Sequence, residues 1–223
     1  MLQFKNITII GSSHIAKSSV EEIEHAFYSL RPEIVAVELD RSRLEALLSD
    51  AKPNYSIGMV REIGVKGYLF AVIGSFLQKK LGSIAGLKPG SDMLCAVTVA
   101  RDNKAKIALI DRDIRITLSR LSKNIKFKEK INFIIDLLRA PFSKRIKINL
   151  NEVPEKKLIV QMMALLKKRY PGVFKVLVTE RNHYMADRIC AIAANHPGER
   201  MLVVIGAGHE GELRELIKSK MRD

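Results

Sequence analysis

Apolar runs of four or five residues, each closed by glycine or charged residues, recur along the chain at Ile7–Ile10, Ile34–Val37, Lys106–Ile110 and Met201–Ile205. The run Ile34-Val35-Ala36-Val37 does not alternate, which is the pattern of a parallel strand covered on both faces. Between the runs, apolar positions change to helical spacing. Ser18 and Ser19 can cap a first helix with Glu21 and Glu22 in its opening turn, and Pro32 precedes the second strand. A helix is predicted over Arg41–Leu48, another over Asp92–Asn103 after the Pro89-Gly90 turn, and a long one over Phe174–Asn195. Residues 114–170 read as mostly helical, broken at Pro141 and Pro154. The predicted architecture is α/β, with a central, mostly parallel sheet flanked by helices. One domain over 1–223 is expected, carrying helical insertions at about 54–90 and 114–170.

Two segments echo one another. ITIIGSSHIAKSSVEEI and MLVVIGAGHEGELREL both read as a strand, a Gly-x-x-His turn and an amphipathic helix. His14 and His209 are therefore expected at equivalent places on the carboxyl edge of the sheet, where open α/β sheets bind ligands. Glu38, Asp111, Arg112 and Asp113 also follow apolar runs directly. One edge should thus gather two imidazoles, several carboxylates and a guanidinium. Half-buried charges must be paired or bind a metal, and two His with a carboxylate suit Zn, Mn or Co. Gly11, Gly206 and Gly208 are expected to permit tight strand-to-helix turns that also aim helix N–H groups at the same edge.

Composition narrows the class. A hydrophobic fraction of 47% and a charged fraction of 28% are those of a globular protein, and 223 residues can bury a sizeable core. Two cysteines in apolar context, Cys95 and Cys190, suit buried, reduced thiols in a cytoplasmic protein. Lys5 and Asn6 interrupt the opening before a signal-peptide core forms. The stretch YLFAVIGSFLQ is bracketed by Lys66 and Lys79, too closely for a membrane span, and is expected as a helical hairpin packed on the domain or on a membrane surface. The net charge of +14 is uneven, since residues 114–147 hold ten Lys or Arg against Glu129 and Asp136. Such a strip fits a solvated face or an anionic membrane surface. Without interleaved aromatics or a recognition motif, it argues little for nucleic acid.

The ordered motifs GSSH, PEIVAVELDRSRLEAL, GLKPGSDM, ALIDRDIRITLSRL, ERNHYMADRI and VVIGAGHEGEL resemble the TraB/PrgY family of pheromone-shutdown proteins. That family is grouped with Tiki metalloproteases, GumN-like proteins and the erythromycin-esterase-like fold. The resemblance spans Ile7–Leu216. It implies an α/β domain with a metal-assisted hydrolytic site, which in the Tiki branch is a peptidase using two Gly-x-x-His motifs and a divalent ion. By that resemblance His14 and His209 are the motif histidines, Glu38 the strand-end glutamate, and Arg43 the arginine after it. Asp111 and Arg112 fall on the DR motif, Glu180 and Arg181 on the ER motif. Ser12 stands where relatives carry Thr, and Asp92 where they carry Glu, one methylene shorter. Many relatives continue into a membrane-spanning region, so the resemblance implies the soluble, catalytic-type domain alone.

These readings converge on a metal-dependent hydrolase, with a peptide as its expected substrate. His14, Glu38 and His209 would hold Mn, Co or Zn or its water. Glu180 or Asp111 would serve as general base, and Arg112 or Arg181 would steady the oxyanion. The alternative is a non-catalytic protein that sequesters a peptide or small ligand in the same cleft. Peripheral membrane contact through the basic strip and a homo-oligomer stay open.

Overall fold

The computed structural model describes residues 2–12, 17–49, 90–139 and 155–222. His14 and the expected insertion at about 54–90, apart from Gly90, lie outside them. The described residues build a five-stranded sheet in the order β1-β2-β5-β3-β4. The strands are β1 (Leu2–Phe4), β2 (Ile7–Ser12), β3 (Ile34–Val37), β4 (Lys106–Leu109) and β5 (Met201–Gly206). Strand β1 runs antiparallel to β2, and β2, β5, β3 and β4 are parallel. The last strand in sequence is thus central, and every residue of it is buried.

The uniformly apolar strands are sandwiched as their composition requires. On one face Ile10, Val35, Val37, Leu202 and Val204 meet α1 (Lys17–Leu30) and α3 (Ser91–Asp102). On the other Ile7, Ile9, Ala36, Val203 and Ile205 meet α8 (Glu180–Asn195) and α9 (Ala207–Lys220). Successive strand residues point to opposite faces, so two cores share one sheet. Helix α2 (Arg41–Leu48) begins where expected, with Asp40 Oδ1 accepting from the Arg43 N–H at 3.0 Å. Asp113 caps α4 (Ile114–Asn124) by accepting from the Arg115 N–H at 2.8 Å.

Within 114–170, α4, α5 (Phe127–Arg139) and α6 (Glu155–Arg169) are helical among the described residues. Helix α7 (Pro171–Phe174) then runs through a π turn, Lys175–Thr179, into α8. Helix α1 is already helical at Lys17, so Ser18 and Ser19 lie inside its first turn rather than capping it. Among the described glycines only Gly90 and Gly198 have positive φ, so the motif glycines do not serve a left-handed turn. They allow close approach: a Cβ on Gly11 would stand 3.2 Å from Ala207 Cα, and one on Gly208 would stand 3.0 Å from Met163 Cε. Cys95 and Cys190 are free and half-buried, and burial pushes the Cys95 thiol up to about 11.

Candidate active site at the carboxyl edge of the sheet

Register sets the site. Ser12 lies opposite Gly206 and Val37 opposite both Val204 and Leu109, so β2, β5, β3 and β4 end together. Gly11 pairs with Ile205 rather than Gly206, so the two Gly-x-x-His motifs are offset by one residue. Glu38 is the first residue beyond β3 and is 4% exposed. Its Oε2 accepts from the Gly206 N–H at 2.6 Å, which ties β3 to the start of α9. His209 occupies the first turn of α9, with Nε2 3.4 Å from Glu38 Oε1.

The centre of the cluster is the Arg181 guanidinium. Its Nε donates to Asp111 Oδ1 at 3.0 Å, and Nη2 donates to Asp111 Oδ2 at 2.7 Å and to Glu38 Oε1. Nη1 donates to the Leu177 carbonyl at 3.1 Å and lies 3.3 Å from His209 Nε2. The five N–H groups of a guanidinium thus each have a counterpart here. Burial alone would pull the Arg181 pKa down, but the charges of Glu38 and Asp111 outweigh it and hold it above its ordinary value. Arg43, on the first turn of α2, donates to Asp111 Oδ2 at 2.9 Å from the outer side.

A second cluster adjoins the first. Glu180 accepts from Arg120 Nε and Nη2 at 2.6 and 2.9 Å and from Arg112 Nη1 at 3.4 Å. The hydrogen bond from Arg120 lowers the Glu180 pKa, and Arg112 adds to the shift against partial burial. The π turn contributes directly: its wider winding releases main-chain carbonyls, and those of Val176 and Leu177 accept from Arg112 at 3.5 Å and Arg181 at 3.1 Å. It lies immediately before Glu180-Arg181 and so places both on the sheet edge.

The structure therefore brings together Glu38, Arg43, Asp111, Arg112, Glu180, Arg181 and His209. His14 lies outside the described residues. Four further residues take part, of which Arg120 and Asn182 were not singled out as site candidates from the sequence. Ser12 of the first motif donates to Asp92, which is 1% exposed, so the Asp reaches the motif hydroxyl. Arg120 clamps Glu180, and Asn182, fully buried, meets His209 Nδ1 at 2.6 Å. The signal for Asn182 was its place on the apolar stripe of α8, in register with Met185, Ala186, Ile189 and Ala193.

Among the described residues no three His, Cys, Asp or Glu are grouped to hold an ion. They do supply a donor pair. Two ligand atoms on a tetrahedral ion with bonds near 2.1 Å lie about 3.4 Å apart, and His209 Nε2 and Glu38 Oε1 stand at 3.4 Å. Asp111 also lines a cleft of about 440 Å³ with Asp40, Ser42, Leu109, Asp113 and Arg115. No helix of the described residues is long and apolar enough to cross a membrane.

The TraB/PrgY/gumN family model matches residues 3–217. An uncharacterized protein of Methanocaldococcus jannaschii is 36% identical over 222 residues, which cover 96% of this chain and 54% of that protein. TraB domain-containing proteins of mouse and human are each 24% identical over 192 residues, 80% of this chain and 50% of theirs. The chain spans about half the length of these curated relatives. With the family model matching almost from end to end, the chain belongs to the TraB/PrgY/gumN family.

Proposed function

We propose that the sheet-edge cluster is the site of a metal-dependent hydrolase that cleaves a peptide bond. The observation that carries this reading is the buried group of Glu38, Asp111, Arg181 and His209, brought to one sheet edge from β3, β4, α8 and α9. Unlike-charged groups withdrawn from water at a ligand-binding edge are costly as mere packing and useful as preorganised electrostatics. His209 and Glu38, with His14 of the first motif, would hold the ion or its water. A bound divalent ion would lower the pKa of water and polarise the scissile carbonyl.

The chain's own groups divide the remaining work. Hydrolysis adds the water oxygen to the carbonyl carbon, breaks the C–N bond and returns a proton to the leaving amine. Glu38, whose Oε1 lies beside His209 and accepts from Arg181 Nη2, would receive that proton and pass it on. Glu180 is a weaker base than an ordinary carboxylate because Arg120 and Arg112 lower its pKa. Both oxygens of Asp111 face guanidinium N–H groups. In this account those two carboxylates hold Arg181, Arg112 and Arg43 in position, and the arginines meet the developing oxyanion. The cleft beside Asp111 and Asp113 admits the substrate.

The complete internal pairing of Arg181 favours one other reading, a protein that binds a peptide or small ligand in this cleft without turning it over. The test is turnover of a fluorogenic peptide library by Mn-, Co- or Zn-loaded protein, compared with His209→Ala and Glu38→Gln. Cleavage that both substitutions abolish supports the hydrolase. Saturable ligand binding with no product, lost in the same variants, supports the binding protein instead.

A further inference from the structure

His209 is held from both sides of its ring. Asn182 Oδ1 lies 2.6 Å from His209 Nδ1, and Asn182 Nδ2 donates to Glu212 Oε2 at 2.9 Å. An ionised carboxylate only accepts, so the amide must turn its NH2 to Glu212 and its carbonyl oxygen to the imidazole. The carbonyl oxygen also only accepts, so the proton on this side belongs to Nδ1. On the other side, Arg181 Nη1 has only hydrogens to offer, and it faces His209 Nε2 at 3.3 Å. A charge-assisted hydrogen bond from an imidazolium to Glu38 would be near 2.7–2.9 Å, whereas Nε2 and Glu38 Oε1 are 3.4 Å apart. Two contacts and one separation therefore select one tautomer.

We propose that Glu212 and Asn182 form a positioning relay that fixes His209 as the Nδ1–H tautomer and leaves the Nε2 lone pair facing Arg181 beside Glu38. The relay is built across two helices: Glu212 lies one turn beyond His209 on α9, and Asn182 reaches over from α8 beside Arg181. Asn182 is fully buried, so its amide cannot satisfy itself with bulk water in another orientation. Metal-ligating and proton-accepting histidines need their second nitrogen held in this way, because the acceptor there sets the tautomer and the ring plane. This inference rests on the reading of the cluster as a reaction site, but its physical content does not depend on turnover.

The test is the ¹⁵N spectrum of His209 in the full chain, ¹⁵N-labelled at histidine and held with chelator at neutral pH. Wild type is expected to show a protonated Nδ1 and an unprotonated Nε2. Asn182→Leu removes the acceptor and is expected to move the ring toward Nε2–H, now donated to Glu38. Glu212→Ala, which leaves Asn182 in place and frees its amide to turn, is expected to give a mixture of tautomers and serves if the first variant fails to fold. Glu212→Gln keeps an acceptor carbonyl and is expected to restore the wild-type spectrum. In parallel, Mn(II) affinity is expected to fall about 10–100-fold in Asn182→Leu, the usual effect of losing such a partner. A wild-type ring carrying Nε2–H, or a Glu212→Ala spectrum identical to wild type, overturns the relay. A tautomer change on schedule in a protein that neither binds Mn(II) nor cleaves peptides supports the relay and defeats the hydrolase reading alone.

Discussion

Replacing Arg181 with methionine removes the cation from the centre of the site while keeping most of its apolar bulk. Arg181 is 14% exposed at its side chain, and its partners Glu38 and Asp111 are 5% and 2% exposed. Neither carboxylate can turn to bulk water, and Arg43, 35% exposed, covers only Asp111. Removing one partner from a buried ion pair costs about 3–5 kcal/mol because a desolvated charge is left behind. For a chain of this size each kcal/mol is worth about 2–4 °C, so a fall in Tm of about 6–20 °C is expected. The deficit should shrink as pH falls toward 5, because the stranded, buried Glu38 carboxyl then takes up a proton and no longer needs a counter-charge. Paired thermal melts by circular dichroism at pH 7.5 and pH 5 measure both effects. Arg120→Met is the control: Arg120 is 49% exposed, and its loss should cost at most about 1 kcal/mol. An Arg181→Met deficit below about 1 kcal/mol, or one that does not shrink in acid, would show that the buried cluster is not held together by Arg181.

Gly11→Ala places a Cβ 2.1 Å from Glu210 Oε2 and 3.2 Å from Ala207 Cα. The carboxylate can swing away but the backbone cannot, so a loss of about 1–3 kcal/mol is expected by denaturant titration, with only part of it recovered by adding Glu210→Ala. Leu202→Ala empties a fully buried position on central β5 and should cost about 2–5 kcal/mol in the same assay. Arg120 and Arg112 lower the Glu180 pKa in the folded state, so those contacts contribute stability that is complete above the ordinary glutamate pKa of about 4.3 and is lost as pH falls through the lower folded value. Glu33, paired with Arg200 and lowered to about 2, acts in the same direction. Tm should therefore decline between pH 4.5 and pH 2, and Glu180→Gln should flatten part of that decline.

Where the strands run was readable because two helices on each face of the sheet demand apolar residues from them. Ile34–Val37 and Met201–Gly206 are apolar at every position up to their last residues because helices cover both faces, and their ends announce the site. Strand β1 was not readable. Its three residues are too short for an alternation to register, and the turn that joins it to β2, Lys5-Asn6, has Lys5 at φ 50° where glycine or asparagine normally signals a hairpin. The strand-end members of the site, Glu38, Asp111 and His209, follow from position alone. The pairing of Arg181 with Glu38 and Asp111, residues far apart in sequence, depends on a π turn that has no sequence signature. Arg120 and Asn182 act across helix packings that no local pattern encodes, although a polar Asn on an otherwise apolar stripe marks a place where a buried partner is required. The basic strip is also less free than its sequence suggests, since Arg115 and Arg120 are engaged by Asp113 and Glu180.

Cobalt titration of chelator-treated protein, followed by visible absorption, reports on the sheet-edge site itself. Saturable binding of one Co(II) per chain is expected, with absorption bands that are lost in His209→Ala and strongly weakened in Glu38→Gln. No saturable binding by the wild-type chain, or bands unchanged in His209→Ala, would contradict a metal centre at this edge of the sheet.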